Sequence, residues 1–393
     1  MPLQFTRSWS DPDLEAFRDA CVRFIEAEVL PGDEAARKRG HVGHALWRKA
    51  GELGFLCTDI PSEFGGAGGD FRHEAVFDEE MARRALTGMS TSVHSIVAHY
   101  FLNHGTDAQK RHYLPKLARG ELVGAIAMTE PGAGSDLQAV RTRAERRGDH
   151  WVINGSKTFI SNGYLAGVVL VVCKTDPTQG ARGTSILIVD TGRASDEDPG
   201  LAAGTPGFRV GRILDKMGMK AQDTSELFFD ELHVPADKVL GGEPGQGFFQ
   251  LMSDLPYERL IIGVAALAGM EGAYDATLAY VRERQAFGQP IAAYQNTRFK
   301  LAEAATQIMA GRAFVDRCVE AIVAGTLDTA TASMAKLWGS ETQGRVLDEL
   351  LQLWGGYGYM NETMVARMYT DARVQRIYGG TNEIMKEVIA RNL

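Results

Sequence analysis

The stretch Ala127-Met128-Thr129-Glu130-Pro131-Gly132-Ala133-Gly134-Ser135-Asp136 packs one proline, two glycines and two hydroxyl side chains together. Proline and glycine there enforce a tight turn in which backbone N–H groups can converge, with Thr129 and Ser135 as further donors. Such a concavity holds a phosphate or a ring oxygen, or is a plain turn. A second stretch, Asn154-Gly155-Ser156-Lys157-Thr158-Phe159-Ile160-Ser161-Asn162-Gly163, has Asn-Gly at each end. Between those ends a strand would put Phe159 and Ser161 on one face. One ring beside one donor suits a flat heteroaromatic ligand, and equally a core Phe beside a solvated Ser. A third signal is the pair of glycine breaks Gln352-Leu353-Trp354-Gly355-Gly356-Tyr357-Gly358-Tyr359 and Tyr378-Gly379-Gly380-Thr381-Asn382-Glu383. Glycines between strong helical stretches mark helix ends or close backbone approach, hence a ligand between helices or ordinary turns. Other signatures are missing: no GxxxxGK[ST], no GxSxG, and His73-Glu74 is followed by Phe77 where a second zinc ligand would stand. His94, His99 and His104 drift around a helix rather than sharing a face, so no metal is expected.

These segments need elements to position them. The chain has 393 residues, 45% hydrophobic and 23% charged, which is globular usage with room for roughly two to three domains. Lys and Arg total 42 against 50 Asp and Glu, a net charge of −8 that argues against nucleic acid as a partner. Cys21, Cys57, Cys173 and Cys318 lie far apart without a CxxC pair, which fits a reduced, cytoplasmic compartment. Met1 to Phe5 shows no basic stretch before an apolar core, and no apolar run reaches 18 residues, so neither secretion nor a membrane span is expected. Helical spacing runs from Asp11 to a stop at Pro31-Gly32, then through Ala45–Leu56, Glu74–Ala85 and Val93–Asn103. From Val123 the texture changes to β-branched runs at Trp151–Ile153, Val168–Cys173, Thr184–Val189 and Leu227–Phe229. Thr191–Pro206 is expected to be an exposed loop. Helical blocks then return near Glu258–Ala286, Asn296–Ala324, Asp328–Leu353 and Met364–Arg391, an antiparallel four-helix bundle. The expectation is an α+β multidomain chain: N-terminal helical domain 1–122, β-barrel-like middle domain 123–240, C-terminal helical bundle 241–393. Strand and helix do not alternate, which excludes a doubly wound dinucleotide fold.

Together with Arg282-Glu283-Arg284-Gln285-Ala286-Phe287-Gly288 and Asp371-Ala372-Arg373, these segments resemble the acyl-CoA dehydrogenases over nearly the whole chain. Gly218–Thr224, Asp328–Lys336 and Ile377–Glu387 look most like the long-chain branch of that family. The resemblance implies FAD bound without a Rossmann domain, usually in a homotetramer or dimer of dimers. Ile126, Met128 and Thr129 would then face the isoalloxazine ring, and Ser135 would sit where flavin pyrophosphate and acyl-CoA meet. Phe159 stands where the family usually has Trp, and Ser161 takes the place of a common Thr that donates to the ring. Arg284, Phe287, Gln295, Gln352, Gly355 and Gly356, completed by Thr381 and Glu383, match positions gripping the adenine end and pyrophosphate, partly from a neighbouring subunit.

The implied reaction is α,β-dehydrogenation of an acyl thioester, in which a carboxylate removes the α-proton and the β-hydrogen leaves as hydride. Many members carry that carboxylate two residues before the Thr of the Gly-Thr turn, but this chain has Gly379 there. The long-chain and isovaleryl branches instead use a Glu followed by Arg on the first bundle helix, which implies Glu258 as base with Arg259 holding substrate or carboxylate. Gly379 would keep a backbone N–H for the thioester carbonyl, and Gly380, Phe249, Tyr257 and Ser135 join it on the substrate side. The acyl pocket is expected between the bundle and Thr91–Ser95. Electrons would pass to an electron-transfer flavoprotein. A branched or short acyl-CoA, a carrier-bound acyl group and a non-catalytic acyl-CoA binding protein remain the alternative readings.

Overall fold

The computed structural model describes residues 6–192 and 205–393. Six helices open the chain: α1 (Pro12–Phe24), α2 (Asp33–Arg39), α3 (His44–Glu52), α4 (Phe71–Arg83), α5 (Thr91–His104) and α6 (Asp107–Ala118). Asp11 caps α1 by accepting the Leu14 N–H at 2.9 Å. Pro31-Gly32 is not the stop the spacing predicts: α1 runs on through a π-helical turn at Ile25–Val29 and a tight turn at Leu30–Gly32 straight into α2. Proline is tolerated there because it starts a new turn, where its missing N–H has no partner to lose. Helix α6, which the sequence reading passed over, opens on a capping box of Thr106 and Gln109.

Seven strands follow: β1 (Gly124–Ala127), β2 (Arg143–Arg147), β3 (His150–Ser161), β4 (Val168–Lys174), β5 (Thr184–Asp190), β6 (Phe208–Ile213) and β7 (Thr224–Pro235). They form one sheet in the order β1-β4-β2-β3-β7-β6, with β5 also on β4. Every residue of β4 is buried, as its unbroken apolar run requires of a strand covered on both faces. One face packs Val168, Leu170 and Val172 under Phe101, Tyr113 and Leu117 of α5 and α6. The other carries Val169, Val171 and Cys173 against Ile153, Leu187 and Leu227. Most of the loop expected at 191–206 lies outside the described residues.

The remaining elements are α7 (Gly247–Glu283), a two-strand hairpin of β8 (Gln285–Ala286) and β9 (Gln289–Pro290), α8 (Gln295–Val323), α9 (Thr329–Gln352), α10 (Met364–Ala372) and α11 (Asn382–Ala390). The first bundle helix starts eleven residues before Glu258, so that residue is mid-helix rather than near a helix start. The fourth helical block is two helices, not one. Gly379 and Gly380 take φ of 62° and 84°, left-handed backbone that ends a helix and suits glycine. The N-terminal helices join the bundle through buried charge: Arg312 of α8 donates to Glu79 of α4 at 2.8 Å and to Glu271 of α7 at 2.6 Å. Among the described residues no helix is long and apolar enough to cross a membrane.

Candidate functional site

Glu258 lies in α7 facing α5 and is 9% exposed. Its Oε1 accepts the Tyr100 hydroxyl at 2.9 Å. Burial raises its pKa to about 7; the Tyr100 hydrogen bond and Arg259 pull it back, while Asp254 pushes it up. A carboxyl poised there can both accept and release a proton near neutral pH. Tyr100 is itself fully buried, and burial with the neighbouring Glu258 lifts its pKa far above the usual phenol value, so it stays protonated and donates to the carboxylate. One turn back, Asp254 is occupied by Asn103 at 2.6 Å and His104 at 2.7 Å. Tyr100 was missed by sequence reasoning, since nothing local in α5 marks a partner 158 residues away.

Arg259 does not hold the Glu258 carboxylate. Its Nη1 donates to Ser333 Oγ of α9 at 2.8 Å, because consecutive helix residues point about 100° apart. Its neighbour Lys336 donates to the Gly380 carbonyl and to Asn382 Oδ1, both at 2.8 Å. Helix α9 thereby fastens the turn that carries Gly379. A Cβ on Gly379 would stand 2.5 Å from Ile262 Cδ1, so this backbone lies against α7 one turn beyond Glu258. Phe249 is half exposed near the start of α7. Tyr257 is drawn inward instead, donating to Asp59 Oδ2 at 3.2 Å with its ring 4.1 Å from that of His99. Burial disfavours the charged form of His99, yet Asp59 overrides it and lifts the pKa to about 9.

Ile126, Met128 and Thr129 are half-buried along and just after β1, with Ser135 exposed beyond them. The turn is held from beneath. Lys157 Nζ donates to the Met128 carbonyl and to Glu130 Oε1, both at 2.8 Å. Glu130 also accepts the N–H groups of Arg141 at 2.7 Å and Thr142 at 2.9 Å. The Thr158 N–H reaches the Thr129 carbonyl at 2.9 Å, tying the turn to β3. There β3 bulges between Lys157 and Ile160, and Phe159 adopts φ 59° with its ring 67% exposed. The bulge interrupts the simple two-residue alternation, and Phe159 follows the residue tied to the Thr129 turn, while half-buried Ser161 pairs with Thr224 of β7. The Asn154-Gly155 pair is inside β3, at a second bulge, rather than at its end. The buried pair Lys157 and Glu130 is a further positioning element that the sequence reading did not single out.

Arg284, Gln352, Gly355 and Gly356 share a second groove, of about 560 Å³, with Tyr280 and Trp354. The Tyr280 and Trp354 rings stack at 4.1 Å, and Trp354 Nε1 donates to Thr277 Oγ1 at 3.0 Å, which sets the turn after α9. Phe287 tips the β8–β9 hairpin with its ring 97% exposed. Gln295 is exposed at the first turn of α8. Thr381 caps α11 by accepting the Ile384 N–H at 3.4 Å, with exposed Glu383 beside it. Within one chain the groove wall includes neither Thr381 and Glu383 nor the Thr129, Phe159 and Ser161 group. Among the described residues no cluster of His, Cys, Asp and Glu is arranged to hold a metal.

Comparison with known proteins finds one family along nearly the whole chain. Residues 11–121, 125–232 and 245–393 match the N-terminal, middle and C-terminal domains of acyl-CoA dehydrogenase. The chain is 47% identical over 382 residues to the mitochondrial long-chain specific acyl-CoA dehydrogenase of Rattus norvegicus, covering 96% of this chain and 86% of that protein. It is 34% identical over 387 residues to the mitochondrial isovaleryl-CoA dehydrogenase of Oryza sativa subsp. japonica, covering 98% and 91%. A crystal structure of acyl-CoA dehydrogenase from Geobacillus kaustophilus superposes with a TM-score of 0.91 at 44% identity, covering 98% of this chain and 99% of that one.

Proposed function

The chain belongs to the acyl-CoA dehydrogenase family, an FAD-dependent enzyme family, and from that premise we propose that it dehydrogenates long-chain acyl-CoA with Glu258 as the base. The observation that carries the reading is the mid-helix, buried Glu258, held by Tyr100 and lying one turn from the backbone of Gly379. The residues present fit FAD: a fastened turn at 128–133 sits beside an exposed Phe159 ring, and a separate groove offers Arg284 with the Gly355-Gly356 backbone. Ile126, Met128, Thr129, Ser135, Phe159 and Ser161 would hold the ring and its pyrophosphate. Arg284, Phe287, Gln295, Gln352, Gly355, Gly356, Thr381 and Glu383 would hold the adenine half. Bound FAD supplies the acceptor for the substrate's β-hydride.

The chain's own residues do the rest. Glu258 takes the α-proton, and its raised pKa makes it a base strong enough for that proton near neutral pH. The Gly379 N–H donates to the thioester carbonyl, where negative charge grows as the proton leaves. Its left-handed backbone, fastened by Lys336 through Gly380, keeps that donor in place without reorganisation. Phe249, Ser135 and Gly380 would lie on the thioester side, with Tyr257 turned inward onto Asp59, while Arg259 acts through Ser333 on α9.

Tyr100→Phe tests the positioning of the base. Loss of a hydrogen bond to the charged carboxylate should move the midpoint of the kcat profile up by about one pH unit. The rate at pH 7 then falls roughly fivefold and recovers above pH 8, whereas mere loosening of α5 would lower it equally at every pH.

The greater identity to the long-chain relative than to the isovaleryl one supports the chain-length preference. Turnover of palmitoyl-CoA is expected to exceed that of isovaleryl-CoA by at least about tenfold in kcat/KM, each measured with a dye acceptor. Branched C5 turning over best would replace the long-chain reading with the branched one. An electron-transfer flavoprotein is the proposed electron acceptor. The separation of the two cofactor half-sites within one chain, with Phe287 fully exposed, supports a tetramer in which each FAD is shared. The proposed domains are 1–122, 123–240 and 241–393, with the helix-to-strand and strand-to-helix changes near their borders. Four buried, unpaired cysteines support a reducing compartment such as the cytoplasm.

A further inference from the structure

Past Ile262 on α7, a cavity of about 120 Å³ opens between the helices. Ala265 and Gly269 line it from α7, on the helix face that carries Glu258 and about 10 and 16 Å further along the axis. Thr91 and Ser92 line it from the start of α5, the helix whose Tyr100 holds Glu258. Tyr378, adjoining Gly379, completes that part of the wall. An acyl chain whose α-carbon meets Glu258 and which runs between α5 and α7 enters this cavity when it is on the order of ten carbons long.

The wall is not what a hydrocarbon terminus needs. Asp78, Gln343, Asp371 and Gln375 share it with methionine and leucine side chains. Gln343 Oε1, Gln375 Oε1 and Asp371 Oδ2 have no hydrogen-bond partner, although all three residues are more than nine-tenths buried. Asp371 is the best satisfied of the three, since Arg37 forms an ion pair with its Oδ2 at 3.9 Å and its other oxygen accepts the Met219 N–H, so the two glutamine oxygens carry the argument. Thr87 Oγ1, on the same wall, is also unpartnered. Buried polar atoms in native proteins almost always have partners. The two glutamine oxygens are acceptors, so their missing partner is a donor, while the Thr87 hydroxyl can serve in either sense. The Asp78 and Asp371 carboxyls beside them disfavour an anion.

We propose that this cavity binds a hydroxyl group at or near the far end of the acyl chain, making long ω-hydroxyacyl thioesters a substrate class of this enzyme. The proposal rests on the dehydrogenase reading above. It is tested on the FAD-loaded wild-type protein with dodecanoyl-CoA, 12-hydroxydodecanoyl-CoA and the mono-CoA thioester of dodecanedioic acid. An apolar pocket penalises a terminal hydroxyl, whereas a site built to bond it penalises its absence. The expected result is a kcat/KM roughly tenfold higher for the hydroxy chain than for dodecanoyl-CoA, chiefly through KM, with the dioic thioester below both. Gln375→Leu should shift the ratio about tenfold toward the plain chain; the wild-type comparison stands even if that variant fails to fold. Turnover of dodecanoyl-CoA with no advantage for the hydroxy chain overturns the proposal alone, water then being the partner of these oxygens. No turnover of any of the three overturns the dehydrogenase reading and the proposal with it.

Discussion

Glu258→Gln is expected to lower kcat for acyl-CoA dehydrogenation by roughly 10³-fold while FAD content and acyl-CoA binding stay near those of the unmodified protein. Glutamine keeps the shape and can still accept the Tyr100 hydroxyl, so the fold around α5 and α7 has no reason to change. What it cannot do is take a proton. Gly379 offers no carboxylate to compensate, and the neighbouring Asp254 is already engaged by Asn103 and His104. Stopped-flow measurement of flavin reduction separates loss of the proton-transfer step from loss of binding. A variant that keeps more than about a tenth of the rate would place the base elsewhere.

Arg312→Met should be the most destabilising single change outside the site, by about 3 kcal/mol, read as a lower midpoint in urea unfolding. Arg312 is buried and donates to Glu79, Glu271 and Asp316, tying α4, α7 and α8 together. Burial alone would raise the Glu79 carboxyl; Arg312, Arg7 and Arg18 overcome that and hold it down to about 2. Methionine fills the volume but leaves three carboxylates short of a partner in the interior. Arg7 and Arg18 still face Glu79, and Arg83 still faces Glu271, which keeps the loss below that of an isolated buried charge. A midpoint within error of wild type would mean that the remaining arginines suffice.

The order helical, β, helical was legible because each region has its own hydrophobic period, and β4 could be read directly from Val168 to Cys173. What escaped was set by distant partners. Helix α7 starts eleven residues before the block expected near Glu258–Ala286 and accommodates Pro256 inside its 37 residues. Arg259 was grouped with Glu258 by adjacency in sequence, while the helical turn sends it to Ser333. Tyr100 and Lys157 carry no local mark of their roles, since each acts on a residue far along the chain. Gly379 was informative in the opposite way: the residue missing from one position directed attention to the carboxylate at another. The groove of Arg284, Gln352, Gly355 and Gly356 brings the first glycine break beside the end of α7, while the second break, at Gly379-Gly380, lies outside it.

The most direct test of the central claim is the rate at which palmitoyl-CoA bleaches the flavin band under anaerobic conditions, followed from pH 5.5 to 8.5. Glu258 has its pKa raised to about 7 by burial, and only its unprotonated form can take the α-proton. The rate should therefore rise with pH through about 7 and level off above it, and the rise should vanish in Glu258→Gln. Bleaching at a rate independent of pH across that range, or preserved in Glu258→Gln, would contradict the assignment of Glu258 as the base.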